Sequence, residues 1–481
     1  MKTDELVSRI PTRYWGYLAL FLWGGIAIFL LRQDLYGLDE GASRNLLLVW
    51  SIVEQVANAA VAFGTPDLRL LLFFPVGFLK PGSVIAVKIF TILLVAGSAW
   101  LLYVWQRNRV NAESALLATG LLLISPLLLA QVDALAPGIY LLIAFSLGEW
   151  LNNTYRAAPK PFGGNYFAQM ILCAFSTSLH PAGLAYPLTL AWAWHKDAPD
   201  AKQKKYFLFG IGFVTLLTLI VRMGWSGTEW LHNPLDSLSA IVFGPSIDGD
   251  ISATRWATGA FAMALLLITV FKQFRALRDS FTGRVLLLGL ILGAFVGDLA
   301  WALIALTTIL YFGFPSLLRA QELPFGNFFG QRGIALLVLV ILSTSFMLAN
   351  KSRYEAHQAG LLSQQDQLIK TLADITENFY AAQEEESSTA PQPHLRVASQ
   401  WPARTMIACK CDTLPLPPAE KDPETQLARM LGVSYLLFDY QSPNNMALYR
   451  NLSMLGEYTE TIDLQSADVL VRITAAPSKT E

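Results

Sequence analysis

The sequence predicts a polytopic α-helical membrane protein with a small soluble α/β domain in its C-terminal part, and three observations predict it. Hydrophobic residues make up 54% of 481 positions and charged ones only 15%. The apolar residues run in long uninterrupted stretches rather than at amphipathic spacing, as segments surrounded by lipid require. Beyond Asn350 the composition turns polar and mixed, so the membrane part is expected over residues 1–350 and the soluble part over 351–481. The balance of 35 basic to 36 acidic residues forms no basic stripe, which argues against nucleic acid as a partner.

Lys2, Arg9 and Arg13 precede the first apolar run, Tyr14 to Leu31. That run is near the length needed to cross about 30 Å of hydrocarbon. It lacks a small-residue cleavage site, so it is expected to be retained, with its N-terminus in the cytoplasm. The chain then presents Tyr36-Gly37-Leu38-Asp39-Glu40-Gly41, which positive-inside counting puts on the external face. Two adjacent carboxylates at a membrane boundary are suited to proton chemistry, and equally to the solvated start of the following helix. Ala42 to Phe63 reads as an interfacial helix, because Arg44, Ser51, Glu54, Gln55 and Asn58 recur at roughly helical spacing. Gly64-Thr65-Pro66-Asp67 breaks it, and Leu68 to Leu79 is too short for a comfortable crossing, so residues 33–83 form one external loop.

From Val84 the chain is expected to cross repeatedly, with basic residues marking the cytoplasmic turns. Residues 84–105 lead inward to Arg107 and Arg109, 113–130 outward to Asp133, and 134–151 back to Arg156 and Lys160. Residues 167–179 and 182–194 pair around His180-Pro181. Residues 206–221 lead to a polar external loop, 222–255, and 256–271 return to Lys272, Arg275, Arg278 and Arg284. Residues 285–318 form a hairpin turning near Gly297-Asp298, and 332–349 one more span. Counting that hairpin as two crossings, the sum is about eleven spans with an external C-terminal domain, while a single crossing there makes the domain cytoplasmic; no internal repeat is evident.

In the soluble part, Ser352 to Gln383 reads as helix-forming and Glu384 to Pro393 as a linker. Thr405 to Cys411, Ser434 to Tyr440 and Val469 to Thr474 are the expected strands, with helices near Pro423 to Leu431 and Asn445 to Leu455. Cys409 and Cys411 then alternate along a strand and point to opposite faces, which speaks against a redox or metal role. Cys173 reads as a small buried hydrophobe.

The order of these features resembles the GT-C superfamily of membrane glycosyltransferases, the aminoarabinose transferases and protein O-mannosyltransferases among them. A first span, an Asp-Glu pair in an external loop, an interfacial helix, a proline-bearing break, a span ending in basic residues and Ser125-Pro126 in the next carry the resemblance. It covers residues 14–150 with some specificity and continues to 350 as a pattern of spans. It implies a sugar donor linked to polyprenyl phosphate, a lipid, glycan or protein acceptor, and Asp39 as the base that activates the acceptor, with Glu40 beside it. Two departures stand out: Thr65-Pro66-Asp67-Leu68 occupies the place of a His-Pro-Pro-Leu motif, and Gly138 follows Pro137 where an acidic residue is common. Asp67 and Asp133 are the candidates for a second carboxylate.

In the implied reaction Asp39 deprotonates the acceptor hydroxyl, and a single displacement inverts the anomeric centre. Arg44, Arg69, Arg222 and Arg255 are the basic side chains available to the departing phosphate, and each also reads as an anchor snorkelling to headgroups. His180 reads as a turn histidine or as an acceptor contact. No metal site is legible; a divalent ion between Asp39 and a second carboxylate stays open. A non-catalytic protein of the same fold that binds lipid-linked sugars or acts as an assembly partner is the second reading. A transporter or flippase is the third, disfavoured because the ionisable residues cluster near one face.

Overall fold

The computed structural model describes residues 12–54, 66–80, 82–157, 163–197, 201–222, 233–245, 252–315, 326–385, 395–442, 445–465 and 468–474. The chain forms two compact units. One comprises Met1–Leu31, Asp67–Arg69 and Ile85–Ala359; the other comprises Arg32–Pro66, Leu70–Val84 and Gly360–Glu481.

The first unit is helical. Helix α1 spans Thr12–Leu30. Two helices of the second unit, α2 (Glu40–Glu54) and α3 (Leu70–Leu79), precede α4 (Val84–Arg109). There follow α5 (Ala112–Ile124), α6 (Pro126–Asp133), α7 (Pro137–Ala157), α8 (Gly164–Leu179), a 3-10 turn at Pro181–Leu184, α9 (Ala185–Asp197) and α10 (Ala201–Arg222). Then come α11 (Pro234–Phe243), α12 (Ala253–Asp279), α13 (Phe281–Gly293), α14 (Leu299–Thr308) with a π turn at Ile309–Gly313, and α15 (Gly326–Gln358).

Among the described residues, Val84–Arg109, Gln203–Val221 and Ala253–Asp279 are long and apolar enough to cross a membrane. A fourth crossing arises if α5 and α6, bent by 50°, act as one. Shorter apolar helices at Ala19–Leu30, Leu70–Leu79, Pro234–Phe243, Phe281–Gly293 and Leu299–Gly313 account for further apolar runs.

The break between α5 and α6 has a covalent cause. Pro126 has no N–H and holds Ser125 extended at ψ 129°, so the i→i−4 ladder lapses. Carbonyls freed in an apolar interior must find other donors. The Leu122 carbonyl accepts the Ser125 N–H, that of Leu123 accepts Trp23 Nε1–H at 2.8 Å, and that of Ile124 accepts Asn350 Nδ2–H at 2.8 Å. The break thereby pins α1 and α15 to α5. The expected turn near Gly297-Asp298 is present: Asp298 Oδ1 accepts the Trp301 N–H at 3.0 Å and caps α14, while Trp301 Nε1–H reaches back to the Leu290 carbonyl of α13. The stretch expected as loop 222–255 contains α11 and the first turn of α12; Trp225, Trp230, His232, Asp248 and Asp250 lie outside the described residues.

The second unit is built on a five-stranded sheet. Helix α16 (Gln364–Glu385) is followed by β1 (Arg396–Ser399), α17 (Pro402–Cys409), β2 (Asp412–Pro415), α18 (Pro423–Arg429), β3 (Tyr435–Asp439), α19 (Met446–Met454), β4 (Thr459–Gln465) and β5 (Asp468–Ile473). The strand order is β2-β1-β3-β5-β4, parallel from β2 to β3 and antiparallel from β3 to β4. Period-two alternation divides its side chains between two cores. Val397, Leu437 and Leu470 pack with Leu368, Ile369 and Leu372 of α16, and Tyr36 joins them; Ala398, Leu436, Phe438, Val469 and Val471 pack with Leu448 and Leu452 of α19.

Two expectations are corrected here. Polar composition begins after Asn350, but α15 runs unbroken to Gln358 and stops where Gly360 turns at φ +69°. Thr405 to Cys411, read as a strand, is helix to Cys409. Its alternation is real, because Ala403, Thr405, Ile407 and Cys409 are all buried, but α17 is surrounded by α2, α16, β1 and β2 and so buries most of its circumference. Pro402 stands at its first position, and Lys410 ends it in the left-handed region at φ 55°. That turn brings Cys409 and Cys411 together as a disulfide, so they do not point to opposite faces.

Candidate functional site

In the first unit, charged side chains gather where three helix ends meet. Lys88 sits in the second turn of α4, Asp133 closes α6, and Arg353 and His357 stand four residues apart near the end of α15. Lys88 Nζ donates to Asp133 Oδ1 at 2.9 Å; Arg353 Nη2 and His357 Nε2 lie 3.5 and 3.8 Å from Oδ2. Lys88 is only 1% exposed, so its charge is held by its partner rather than by water. One carboxylate thus faces two permanent cations and an imidazole.

Asp67 and Arg69 form a second buried assembly. The Asp67 carboxylate binds Arg69 through both oxygens, with Nη2 to Oδ2 at 2.6 Å and Nε to each oxygen at 3.0 Å. Arg69 Nη1 donates to the Leu135 carbonyl at 2.6 Å, and the guanidinium lies 5.9 Å from the Tyr140 ring centroid. Leu135 holds φ +53° without glycine's freedom, two residues after Asp133. The Leu68 N–H donates to Ser178 Oγ at 3.2 Å. Asp67, offered above as a second carboxylate, is thus bound to Arg69, and the pair holds the α6–α7 turn.

His180 Nδ1 accepts the Ala182 N–H at 3.1 Å, which leaves the hydrogen on Nε2, 3.1 Å from Asp298 Oδ2. Arg255 Nη1 donates to the Gly244 carbonyl at 3.0 Å and lies over the Phe243 ring, so it secures the end of α11. Arg222 ends α10, and its side chain lies outside the described residues, as does Thr65. Gly138 is a packing position: a Cβ there would stand 2.8 Å from the Ala300 Cα and 2.6 Å from Gln131 Oε1. A family-like acidic side chain has no room between α7 and α14.

Asp39, Glu40 and Arg44 belong to the second unit. Asp39 Oδ2 accepts the Ala42 N–H at 3.0 Å and so caps α2. Glu40 Oε1 and Oε2 accept the N–H groups of Ala403 and Arg404 at 3.0 and 3.1 Å, at the N-terminus of α17, and Arg44 lies 3.8 Å away. Burial pushes the Glu40 carboxyl up to about 7, against the opposing pull of those two amides, Arg44 and Arg404. Arg404 also pairs with Asp366 at 2.7 Å. Burial alone would raise Asp366, but Arg404, Ser363 and the Gly37 N–H hold it below the usual carboxylate range. Among the described residues no group of three or more His, Cys, Asp or Glu is placed to hold a metal ion.

Sequence reasoning missed Lys88, Arg353 and His357. Lys88 carried a signal, since an ionisable residue inside an apolar span marks a site by default. Arg353 and His357 carried none, because they fall in polar sequence that reads as soluble domain.

No protein-family model matches the sequence, and no curated protein matches it. Solved structures do resemble it. The archaeal oligosaccharyltransferase AglB from Archaeoglobus fulgidus, in complex with an inhibitory peptide and a dolichol-phosphate, aligns with a TM-score of 0.51 at 12% identity, over 89% of this chain and 70% of that one. ArnT from Cupriavidus metallidurans in the apo state aligns at 0.48 and 12% identity, over 95% and 98%. The arabinofuranosyltransferase AftD from Mycobacteria aligns at 0.43 and 14% identity, over 97% of this chain and 40% of that one. At 12% identity the AglB alignment shows a shared fold.

Proposed function

We propose that this chain is an integral membrane glycosyltransferase that moves a sugar from a polyprenyl-phosphate donor to a lipid, glycan or protein acceptor on the external face. About eleven crossings would set the C-terminal sheet domain outside. The observation that carries the reading is the gathering of Lys88, Arg353 and His357 around Asp133. It lies at the end of α4 opposite Arg107 and Arg109, hence at the external end by the positive-inside rule. A lipid phosphate needs such a cluster at a membrane boundary, with an apolar path beside it for the chain. AglB, which shares the fold, was solved with a dolichol-phosphate.

In the proposed reaction the acceptor hydroxyl gives its proton to Asp39 as its oxygen attacks the anomeric carbon. The carbon–oxygen bond to the donor phosphate breaks, and polyprenyl phosphate leaves with the electron pair. Within the first unit, Lys88 and Arg353, with His357 alongside, are the proposed holders of a lipid phosphate. Asp133 keeps these cations in register. Arg69 positions the turn next to Asp133, and Arg44 and Arg255 take structural roles. A divalent ion is no part of this scheme.

A second reading, a non-catalytic protein that binds lipid-linked sugars, draws support from Gly138, where the acidic side chain common in the family has no space. One comparison separates the two: mass spectra of envelope glycolipids and glycans from cells with no copy, the intact protein, Asp39→Asn or Lys88→Met at matched abundance. The transferase reading expects a sugar-sized mass only with the intact protein. Product formation by Asp39→Asn at the intact level would remove Asp39 as the base. No sugar-sized mass with any form would leave the binding reading ahead.

A further inference from the structure

The Asp-Glu pair contains two adjacent carboxylates with unlike surroundings. Asp39 caps the helix that follows it, a local bond within three residues. Glu40 reaches more than three hundred and fifty residues along the chain to the first turn of α17, where two backbone N–H groups lack partners within their own helix. One oxygen binds each amide, and the helix dipole favours negative charge at that end. The side chain is 13% exposed, so the carboxylate is withdrawn from solvent and its acceptor capacity is already used.

Other contacts hold the same turn. The Gly37 N–H donates to Asp366 Oδ1 at 3.2 Å, Arg32 Nη1 donates to the Leu361 carbonyl at 3.2 Å, and Tyr36 packs into the core formed by α16 and the sheet. Gly37 itself turns at φ +75°, a conformation that side chains resist. Arg404 links the two anchor points, since its backbone holds Glu40 while its guanidinium holds Asp366. Residues 32–44 are therefore strapped to the C-terminal sheet domain at four places, with Glu40 next to the residue assigned the chemistry.

We propose that Glu40 is a positioning residue, whose grip on the N-terminus of α17 fixes the turn that presents Asp39. The C-terminal domain is then part of the catalytic apparatus through its backbone, without touching substrate. This rests on the reading of Asp39 as the base. Truncating Glu40 leaves Asp39 in place but lets its turn wander, and a displacement of about 1 Å can cost a hundredfold in rate.

The test uses the full-length protein in lipid nanodiscs, with the donor identified by the mass comparison above. Hydrogen exchange at the Ala403 and Arg404 amides is measured for the intact protein, Glu40→Ala, Glu40→Gln and Asp39→Asn, together with kcat and donor KM. In Glu40→Ala, exchange at those two amides is expected to accelerate at least about tenfold and kcat to fall about ten- to a hundredfold, with donor KM nearly unchanged. Glu40→Gln, which keeps one acceptor oxygen, is expected to fall between. Asp39→Asn is expected to abolish turnover with exchange at 403 and 404 unchanged. Unaltered exchange in Glu40→Ala would overturn the grip, and faster exchange with unaltered kcat would overturn the positioning role. Full turnover by Asp39→Asn would instead overturn the assignment of the base, and this proposal with it, while the exchange data still report whether the grip exists.

Discussion

Glu40 and Asp366 are buried carboxylates, both held by Arg404, whose contributions to stability change with pH in opposite senses. Burial raises Glu40 from its ordinary 4.5 to about 7, because the cost of withdrawing the charge from water exceeds the pull of its two amides, Arg44 and Arg404. Its contribution is full below about 4.5 and is lost as pH rises through 7, a change of at most about 3 kcal/mol. Asp366 is held below its ordinary value by Arg404, so its contribution is present at neutral pH and is lost on acidification. Glu40→Gln removes the first titration and leaves the second. We expect the melting temperature of the intact protein to fall relative to Glu40→Gln between pH 5 and 8; a constant gap would show that Glu40 does not titrate there. Lys88 and Asp133 make the other residue-scale case. Removing one partner of a buried ion pair typically costs about 3–5 kcal/mol. Asp133→Asn is therefore expected to lower the melting temperature more than Lys88→Met, which leaves Asp133 with Arg353 and His357.

Helix α7 meets α14 at Gly138, and the contact is backbone to backbone. Gly138→Ala forces a methyl to within 2.8 Å of the Ala300 Cα, where no side-chain rotation relieves it, so the helices must part at a cost of about 1–3 kcal/mol. A melting curve in detergent checks this, and an unchanged midpoint would mean the helices yield freely. Element by element, the sequence spoke clearly where lipid or a turn dictated the answer. The apolar runs and the turn at Gly297-Asp298 follow from local chemistry, whereas Ser125-Pro126 breaks a run, 113–130, that reads as one crossing. It spoke poorly where burial was set by distant chain. The alternation of Thr405 to Cys411 mimics a strand because α17 is enclosed on most sides, and nothing local reveals that α2 and α16 lie against it. The site divides likewise. Asp39 and Asp133 were legible as carboxylates near a membrane boundary. The partners that define them, Arg353 some two hundred residues beyond Asp133 and Ala403 beyond Glu40, are products of tertiary structure alone.

At the scale of the whole molecule, the disulfide and the charge pattern argue for the same orientation by independent routes. Arg107, Arg109, Lys272, Arg275 and Arg278 mark ends of α4 and α12 that the positive-inside rule assigns to the cytoplasm. The eleven crossings proposed above would put the C-terminal domain outside. A disulfide persists in an oxidising compartment and is reduced in the cytosol, so the Cys409–Cys411 bond points to the outside as well. Cys173, buried within α8 of the helical unit, serves as an internal control because it has no disulfide partner. Alkylation of the protein taken directly from cells into denaturant, with no reductant, is expected to modify Cys173 alone. A second, distinguishable alkylating reagent added after reduction is expected to mark Cys409 and Cys411. Modification of all three in the first step would mean that the domain meets reducing conditions, and an even number of crossings would have to replace the eleven proposed. The acceptor would then have to be sought with Asp39 on the cytoplasmic side or with a topology that separates Asp39 from the sheet domain. The grip of α17 on Glu40 excludes the latter, because it keeps the turn of Asp39 and the C-terminal domain in one unit.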